Sequence, residues 1–477
     1  MLIDARDVGS GSSLDTDVCL VGAGAAGITI ARQLRDSGLR VILLESGGFE
    51  PDERTQALYR GDNQGRTYFP LDESRLRYFG GTTNHWEGWC RPLDPIDLEE
   101  RPEIPGTGWP IRYGELAQWY PRAAELVQLQ DFSIYASRRE PASRLPLDSS
   151  YVQTALFLYS PPTRFGSVYR RELVAADNIA LYLNANVVDI SPSAQSTVVV
   201  RTLSGRSFRV TSSALVLCCG GIENARLLLS ARDGQGIGGG AVGRHFMEHP
   251  HAPVGTAVVH IDPAQAATYA TALPPEFRRD GTRGALVVAD PAVRDRGLLR
   301  CSLTVGAFSG EHGERVDEVQ SIAMSTDRRA TQTMSLVART EQSPDPESRV
   351  VLGRARDRLG VRRPVLFWRL NERDLHSIEA SLEVVAQALG AAGVGRLRVN
   401  PGYRDTISGG RHHMGTTRMG ADPATSVVDS DCLVHGTSSL YVAGSSVFPT
   451  VGFANPTLTI CALAARLADH LERTLAA

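Results

Sequence analysis

Two residues near the C-terminal end have side chains suited to proton chemistry. They are His412, in Arg411-His-His-Met-Gly415-Thr, and Asn455, in Gly452-Phe-Ala-Asn-Pro456-Thr457, about forty residues further on. An imidazole with an unperturbed pKa near ~6.5 can take a hydroxyl proton at neutral pH. Such general-base help is typically worth about 10²–10⁴ in rate. A carboxamide forms hydrogen bonds but cannot share a transferred proton, so of the two side-chain types only the imidazole could serve as a base. Asn455 precedes Pro456 and Thr457, and that order predicts a helix N-cap with proline in the first turn. The helix N-terminus would then favour negative charge nearby. A lone histidine in a glycine-rich turn is more often structural, so the rest of the chain has to supply the chemical context.

Part of that context lies at the other end. Val18–Val21 is a short apolar run followed by Gly22-Ala-Gly24-Ala-Ala26-Gly27 and a helical pattern through Leu34. Gly38 stops the helix, and Val41–Leu44 forms a second strand that ends in Glu45, eighteen residues past Gly27, with Ser46 next. This is a βαβ unit with glycines spaced for a tight turn, close approach of a pyrophosphate, and helix-to-strand packing. The helix start supplies N–H donors to phosphate, and Glu45 accepts hydrogen bonds from a ribose.

Two more strand–glycine junctions follow, Ala214–Cys218 into Gly220-Gly221 and Leu440–Ala443 into Gly444-Ser445. Three such junctions so far apart imply one nucleotide domain assembled from discontinuous segments. From Leu181 the chain is β-rich, with a hairpin turn at Leu203–Arg206. The intervening regions contain strand-like runs (Ala285–Val288, Met334–Ala338, Val365–Trp368) and one amphipathic helix over Asp374–Leu389. Ser133–Ser150 and Ser309–Glu318 read as exposed loops.

Bulk properties remove several function classes. The chain has 477 residues, enough for two or three cores, with 42% hydrophobic and 22% charged residues. Its net charge of −3 gives no basic footprint for nucleic acid or anionic membrane. No apolar run approaches the roughly 20 residues needed to span a bilayer. The polar N-terminus lacks the regions of a signal peptide, which favours the cytoplasm. Lysine is absent, so all 50 basic residues are arginine, excluding Schiff-base catalysis and a Walker-type phosphate loop. The seven cysteines form no CxxC pair and read as core residues. His245, His249 and His251 have spacing that tempts a metal assignment, but Pro250 breaks a helix there and no second cluster adds ligands, so no metal is expected.

Taken in order, VGAGAAG…LLESGG, FGGTTNHWEG, VLCCGGIENARLLL, RHHMGTTRMG and LYVAGSSVFPTVGFANPTLTI resemble the glucose–methanol–choline flavin oxidoreductases over nearly the whole length. The closing motifs are most similar to pyranose oxidases and bacterial glycoside or aminoglycoside alcohol oxidoreductases. The resemblance implies an α/β (α+β) fold. A discontinuous Rossmann-like FAD-binding domain would comprise residues 14–95, 152–249 and 405–477. A substrate domain, with an antiparallel sheet backed by helices, would comprise 96–151 and 250–404.

The resemblance further implies that FAD is held by Gly22, Gly24, Ala26, Gly27, Glu45, Ser46, Gly80, Gly81, Asn84, His85, Gly88, Val187, Gly220, Gly444, Ser445, Asn455, Pro456 and Thr457. His85 stands where some relatives attach FAD covalently. His412 and Asn455 would be the catalytic pair, with hydride passing to flavin N5, and His413 and Phe453 would face the substrate. Trp86, Trp89 and Phe448 flank the same site. The expected reaction is oxidation of a hydroxyl of a sugar, glycoside or related polyol, with oxygen or an external acceptor taking the electrons. Alternative readings are a NAD-dependent dehydrogenase, or a non-redox flavoprotein lyase or ligand-binding protein on the same fold.

Overall fold

Val18–Val21 is buried on both faces because the strand Ser13–Val21 lies inside a sheet rather than at its edge. It pairs in parallel with Val41–Leu44 on one side and with Ser207–Leu217 on the other. The computed structural model describes residues 1–137, 140–234, 236–269, 282–305 and 330–475. Beyond Val41–Leu44 the sheet continues through Ile179–Leu183 to Leu2–Asp4. The N-terminal half of Ser207–Leu217 makes an antiparallel hairpin with Ser196–Arg201, which also pairs with Asn186–Ser191. Its C-terminal half instead takes Leu440–Val442 as a parallel neighbour.

This register puts Leu44, Val21, Leu217 and Val442 in one row. Cys218 N donates to Val21 O at 2.8 Å, and Ala443 N donates to Leu217 O at 2.8 Å, so the row stays paired to its end. Gly22, Gly220 and Gly444 therefore leave the sheet side by side, at the carboxyl edge where open α/β sheets bind ligands. A Cβ on Gly22 (φ +100°) would lie 2.9 Å from Cys218 O, and one on Gly27 would lie 2.0 Å from Gly22 O. The helix Ala25–Gln33 thus rests directly on the turn. A Cβ on Gly24, by contrast, would meet nothing within 4 Å. Helix Thr457–Leu475 packs beside Ala25–Gln33, burying Leu458, Cys461, Ala462, Ala465, Ala468 and Leu471 at helical spacing.

A second, antiparallel sheet has the order Gly395–Val399, His251–Ile261, Ala330–Thr340, Cys301–Val305, Thr282–Val288, Val152–Tyr159, Trp89–Cys90. Helix Glu372–Ala391 covers it, with Ile378, Leu382, Val385 and Leu389 in a core shared with Val254, Val259, Leu303 and Leu336. Asn371 and Asp374 close a capping box at its start, two residues ahead of the expected helix.

Val152–Tyr159 is bonded into this second sheet, whereas the sequence reading starts a nucleotide-domain segment at 152. An alternating strand suits either sheet, and only its long-range partner Thr282–Val288 decides. Ser133–Ser150 is not simply an exposed loop, because Leu145 and Leu147 are buried in the second core. Ser309–Glu318 lies outside the described residues. Six cysteines are buried and Cys219 is half-buried, all as free thiols. Among the described residues no helix is long and apolar enough to cross a membrane.

The glycine geometry separates stability from ligand binding. Gly27→Ala should destabilise the fold by about 1–3 kcal/mol through overpacking. Gly24→Ala, at a helix N-cap facing open space, should cost about 1 kcal/mol or less, yet lower the nucleotide content of the purified protein. Denaturant unfolding and nucleotide release measure both. Equal destabilisation by the two variants would contradict the packing described.

Candidate active site

The row of strand ends opens onto a cavity of about 700 Å³ that runs across to the second sheet. Its wall near the row includes Gly22, Gly24, Ala26, Glu45, Ser46, Val187, Gly220, Gly444 and Ser445. Further along are Gly81, His85, Gly88, Asn455, Pro456 and Thr457, and then His412 and His413. Five sequence-derived residues lie off this wall. Gly27 supports the turn from behind. Gly80, in the left-handed region (φ +96°), donates its N–H to Ala23 O at 2.8 Å, and Asn84 donates to Phe79 O at 2.9 Å, so both brace the loop. Phe453 is buried in a cluster with Trp89 and Phe157. Phe448 packs on Trp109, with ring centroids 5.3 Å apart, whereas Trp86 and Trp89 line the cavity.

Glu45 is buried, and its carboxylate accepts N–H bonds from Ala23 and Gly47, each at 2.9 Å. It ties the glycine turn to the end of its neighbouring strand. Below it, Glu223 meets Arg75 and Arg226, each at 3.0 Å, and Arg77 at 3.4 Å. Burial pushes the Glu223 carboxyl up, but Arg226, Arg75 and Arg77 outweigh it and bring the group down to about 2. A charged wall therefore borders one end of the cavity.

At the other end a chain of hydrogen bonds has a defined direction. His249 Nε2 lies 3.2 Å from Val451 O, and His249 Nδ1 lies 2.9 Å from His412 Nδ1. A carbonyl only accepts, so His249 carries its proton on Nε2. Burial pushes His249 down to about 4, so the ring is neutral and its Nδ1 bears a lone pair. His412 must then donate from Nδ1, which leaves a lone pair on its Nε2. That atom is 3.5 Å from the Asn455 amide nitrogen, itself a donor. Burial, then His249, His413 and Arg339, hold His412 well below the usual imidazole value. The arrangement is a neutral proton acceptor beside an amide donor.

The loop bearing His412 is held by Glu248, which is fully buried. Its carboxylate accepts from Gly410 N (2.9 Å), His412 N (2.9 Å), His249 N (3.0 Å) and the Tyr68 hydroxyl. Arg411, between the two loop donors, has φ +59°. That left-handed conformation costs about 1–3 kcal/mol for a non-glycine residue and aims successive N–H groups at one anion. Burial raises Glu248 to about 7 against the pull of those donors. His413 Nε2 lies 2.9 Å from the Tyr68 hydroxyl, so His413 belongs to this support although it borders the cavity. Adjacent residues on extended backbone point to opposite sides, which separates His413 from His412.

Asn455 lies one position further out than the sequence reading had it. Ile460 N donates to Pro456 O at 2.8 Å, so Pro456 occupies the cap position and the Asn455 side chain faces His412. The sequence reading missed His249, Glu248 and Tyr68. The only signal for the first two was the histidine-rich run 245–251, considered for metal. His245 departs from that run with φ +57°, and among the described residues no His, Cys, Asp or Glu cluster is arranged for a metal ion.

A family model described as FAD dependent oxidoreductase matches residues 17–343, and one described as GMC oxidoreductase matches residues 344–464. The chain is 23% identical to the fructose dehydrogenase large subunit of Gluconobacter japonicus, over 98% of this chain and 99% of that one. It is 26% identical to paromamine 6'-oxidase of Streptomyces fradiae, over 96% of this chain and 92% of that one. The solved structure of pyridoxine 4-oxidase from Mesorbium loti has the same fold, with a TM-score of 0.53 and 18% identity over 95% of this chain and 99% of that one.

Histidine-selective ¹⁵N NMR reads the proton chain directly. His412 should appear as the neutral Nδ1–H tautomer and stay neutral as the pH falls through 6.5, because its lowered pKa removes the base form only at more acid pH. His249→Leu should let both His412 tautomers appear. A dominant Nε2–H signal in the unaltered protein would refute the assignment.

Proposed function

This chain belongs to the glucose–methanol–choline family of FAD-dependent oxidoreductases, and we propose that it oxidises a hydroxyl of a sugar, glycoside or related polyol with His412 as the base. The chain is an FAD-dependent alcohol oxidoreductase, and its cavity suits that cofactor. The open space at Gly24 accommodates a pyrophosphate at the start of helix Ala25–Gln33. Glu45 Oε2 retains a lone pair for a ribose hydroxyl after binding Ala23, whereas Oε1 already accepts from Gly47 N and the Ser46 hydroxyl. Gly81, His85, Gly88, Ser445, Pro456 and Thr457 would hold the remainder. Bound FAD supplies the hydride acceptor, its N5 atom.

The residues of the chain supply the proton chemistry. The substrate hydroxyl donates to His412 Nε2, and the Asn455 amide donates to the same oxygen. As the carbinol hydrogen leaves with its electron pair, the hydroxyl proton passes to His412 Nε2. The resulting imidazolium keeps its Nδ1–H on His249, and His249 stays anchored on Val451 O. The directed hydrogen-bond chain is the observation that carries this reading. Relatives named for fructose and for paromamine support a carbohydrate alcohol. A NAD-dependent dehydrogenase would leave the matched region 344–464 without a purpose.

Anaerobic mixing with a panel of sugars, glycosides and aminocyclitols tests the proposal. At least one should bleach the flavin, and His412→Ala should slow bleaching about 10²–10⁴-fold with FAD still bound. An unchanged rate in that variant would remove His412 from the chemistry, and no bleaching with any candidate would remove the substrate class. Oxygen uptake on a bleaching substrate then separates oxygen from an external acceptor. His85 lines the cavity, which supports it as a covalent attachment point, and acid precipitation reads this directly. A yellow pellet assigns the bond, and a yellow supernatant leaves His85 as a wall residue.

A further inference from the structure

We propose that the substrate carries a carboxylate and that Arg339 binds it beside the reacting hydroxyl. The inference rests on the hydroxyl-oxidising reading of this cavity and adds the charge class of its substrate. Arg339 lies on Ala330–Thr340, directly opposite His251 on the antiparallel strand His251–Ile261. Opposed residues of such a pair present their side chains on one face of the sheet, and both line the cavity. The His251 and His412 rings are 6.3 Å apart, so this wall adjoins the base.

The guanidinium is held in place. It lies over the Trp89 ring at 4.8 Å, and its Nη1 donates to the buried hydroxyl of Thr304. Arg283 packs on the same indole at 4.4 Å and repels it, while Glu87 attracts it without forming an ion pair. Among the described residues the Arg339 guanidinium has no ion pair and no hydrogen bond beyond Thr304. Burial and the neighbouring Arg283 bring it down to about 10, which marks a cation short of compensation.

Its Nε–Nη2 edge is the side-on fork that matches a planar carboxylate with two parallel hydrogen bonds. Neutral hydroxyls could fill the hydrogen bonds but would leave the charge unbalanced. His251 adds no charge, since burial holds it well below its usual value, and its Nε2 is sealed beneath Gly410. Arg339 is therefore the cation on this wall that an incoming acid would meet.

The test titrates oxidised holoenzyme with matched pairs, glucuronate against glucose and galacturonate against galactose, with glucose 6-phosphate as a phosphate arm. Binding is read from the flavin spectrum or by calorimetry, and turnover from anaerobic bleaching. The acids should bind roughly ten- to a hundredfold more tightly than their neutral parents, as a charge-assisted pair allows, and the advantage should shrink at high salt. Arg339→Gln should bring the ratio close to one, and Arg339→Lys should recover part of it. Should Arg339→Gln fail to retain FAD, the wild-type ratio and its salt dependence still decide.

Neutral parents that bind as well as the acids would overturn the inference, even if they bleach the flavin and so uphold the proposed reaction. Tighter binding of the phosphate than of the uronates would overturn the carboxylate assignment. Tight, salt-sensitive binding of acids with no bleaching by any sugar would instead retain the anion site and count against the reaction.

Discussion

The Val451 carbonyl sets the direction of proton sharing in the site. Because it can only accept, it fixes the proton on His249, and His249 in turn fixes the proton on His412. The carbonyl is itself held through the residues on either side of it. Trp109 Nε1 donates to Thr450 Oγ1 at 2.7 Å, Thr450 bonds Asp97 O, and Gly452 sits so close to the Asp97 carboxylate that a Cβ would lie 2.6 Å from it. The orientation of one imidazole therefore depends on contacts among three segments distant in sequence. Asn455, four residues after Val451, is positioned by the same stretch of backbone.

Keeping His412 dry has opposing effects. Burial, the neighbouring His249 and His413 rings and the Arg339 cation hold its pKa well below the usual imidazole value, so the accepting form predominates near neutral pH. The same environment makes it a weaker base than a solvated histidine, whereas general-base efficiency is highest when the pKa lies near the operating pH. His249 offsets part of this by accepting from Nδ1, a bond that strengthens as His412 becomes an imidazolium. Glu248 contributes differently. It fixes the loop through four donors and takes neither ring nitrogen of His412, which leaves Nδ1 to His249 and Nε2 to the substrate.

Sequence was most informative where a short-range steric rule acts. The glycines at 22, 24 and 27 each answer a different local demand, visible in the spacing and met in the structure by a close carbonyl, open space and a close turn. The helix after Asn371 was nearly complete from its periodicity, short by two residues at each end. The ordered family motifs paired His412 with Asn455, and the structure brings their side chains to 3.5 Å of each other. His249 was not, because its partners are 163 and 202 residues away and its motif equally suited a metal reading. Phe453 was placed at the substrate because aromatic identity does not reveal direction, and packing against Phe157 turned it into the core. The boundary set at residue 152 had no such local rule behind it, since the strand Val152–Tyr159 that begins there takes its partner, Thr282–Val288, from far along the chain.

The most direct check of the central claim is a crystal structure of the FAD-bound protein at a resolution that orients the His412 and His249 rings. It should show His412 Nε2 and the Asn455 amide on the same side of the isoalloxazine ring, facing N5, with the His412–His249–Val451 chain intact. A flavin whose N5 faces away from that pair, or a His412 ring turned so that Nε2 meets His249, would contradict the account.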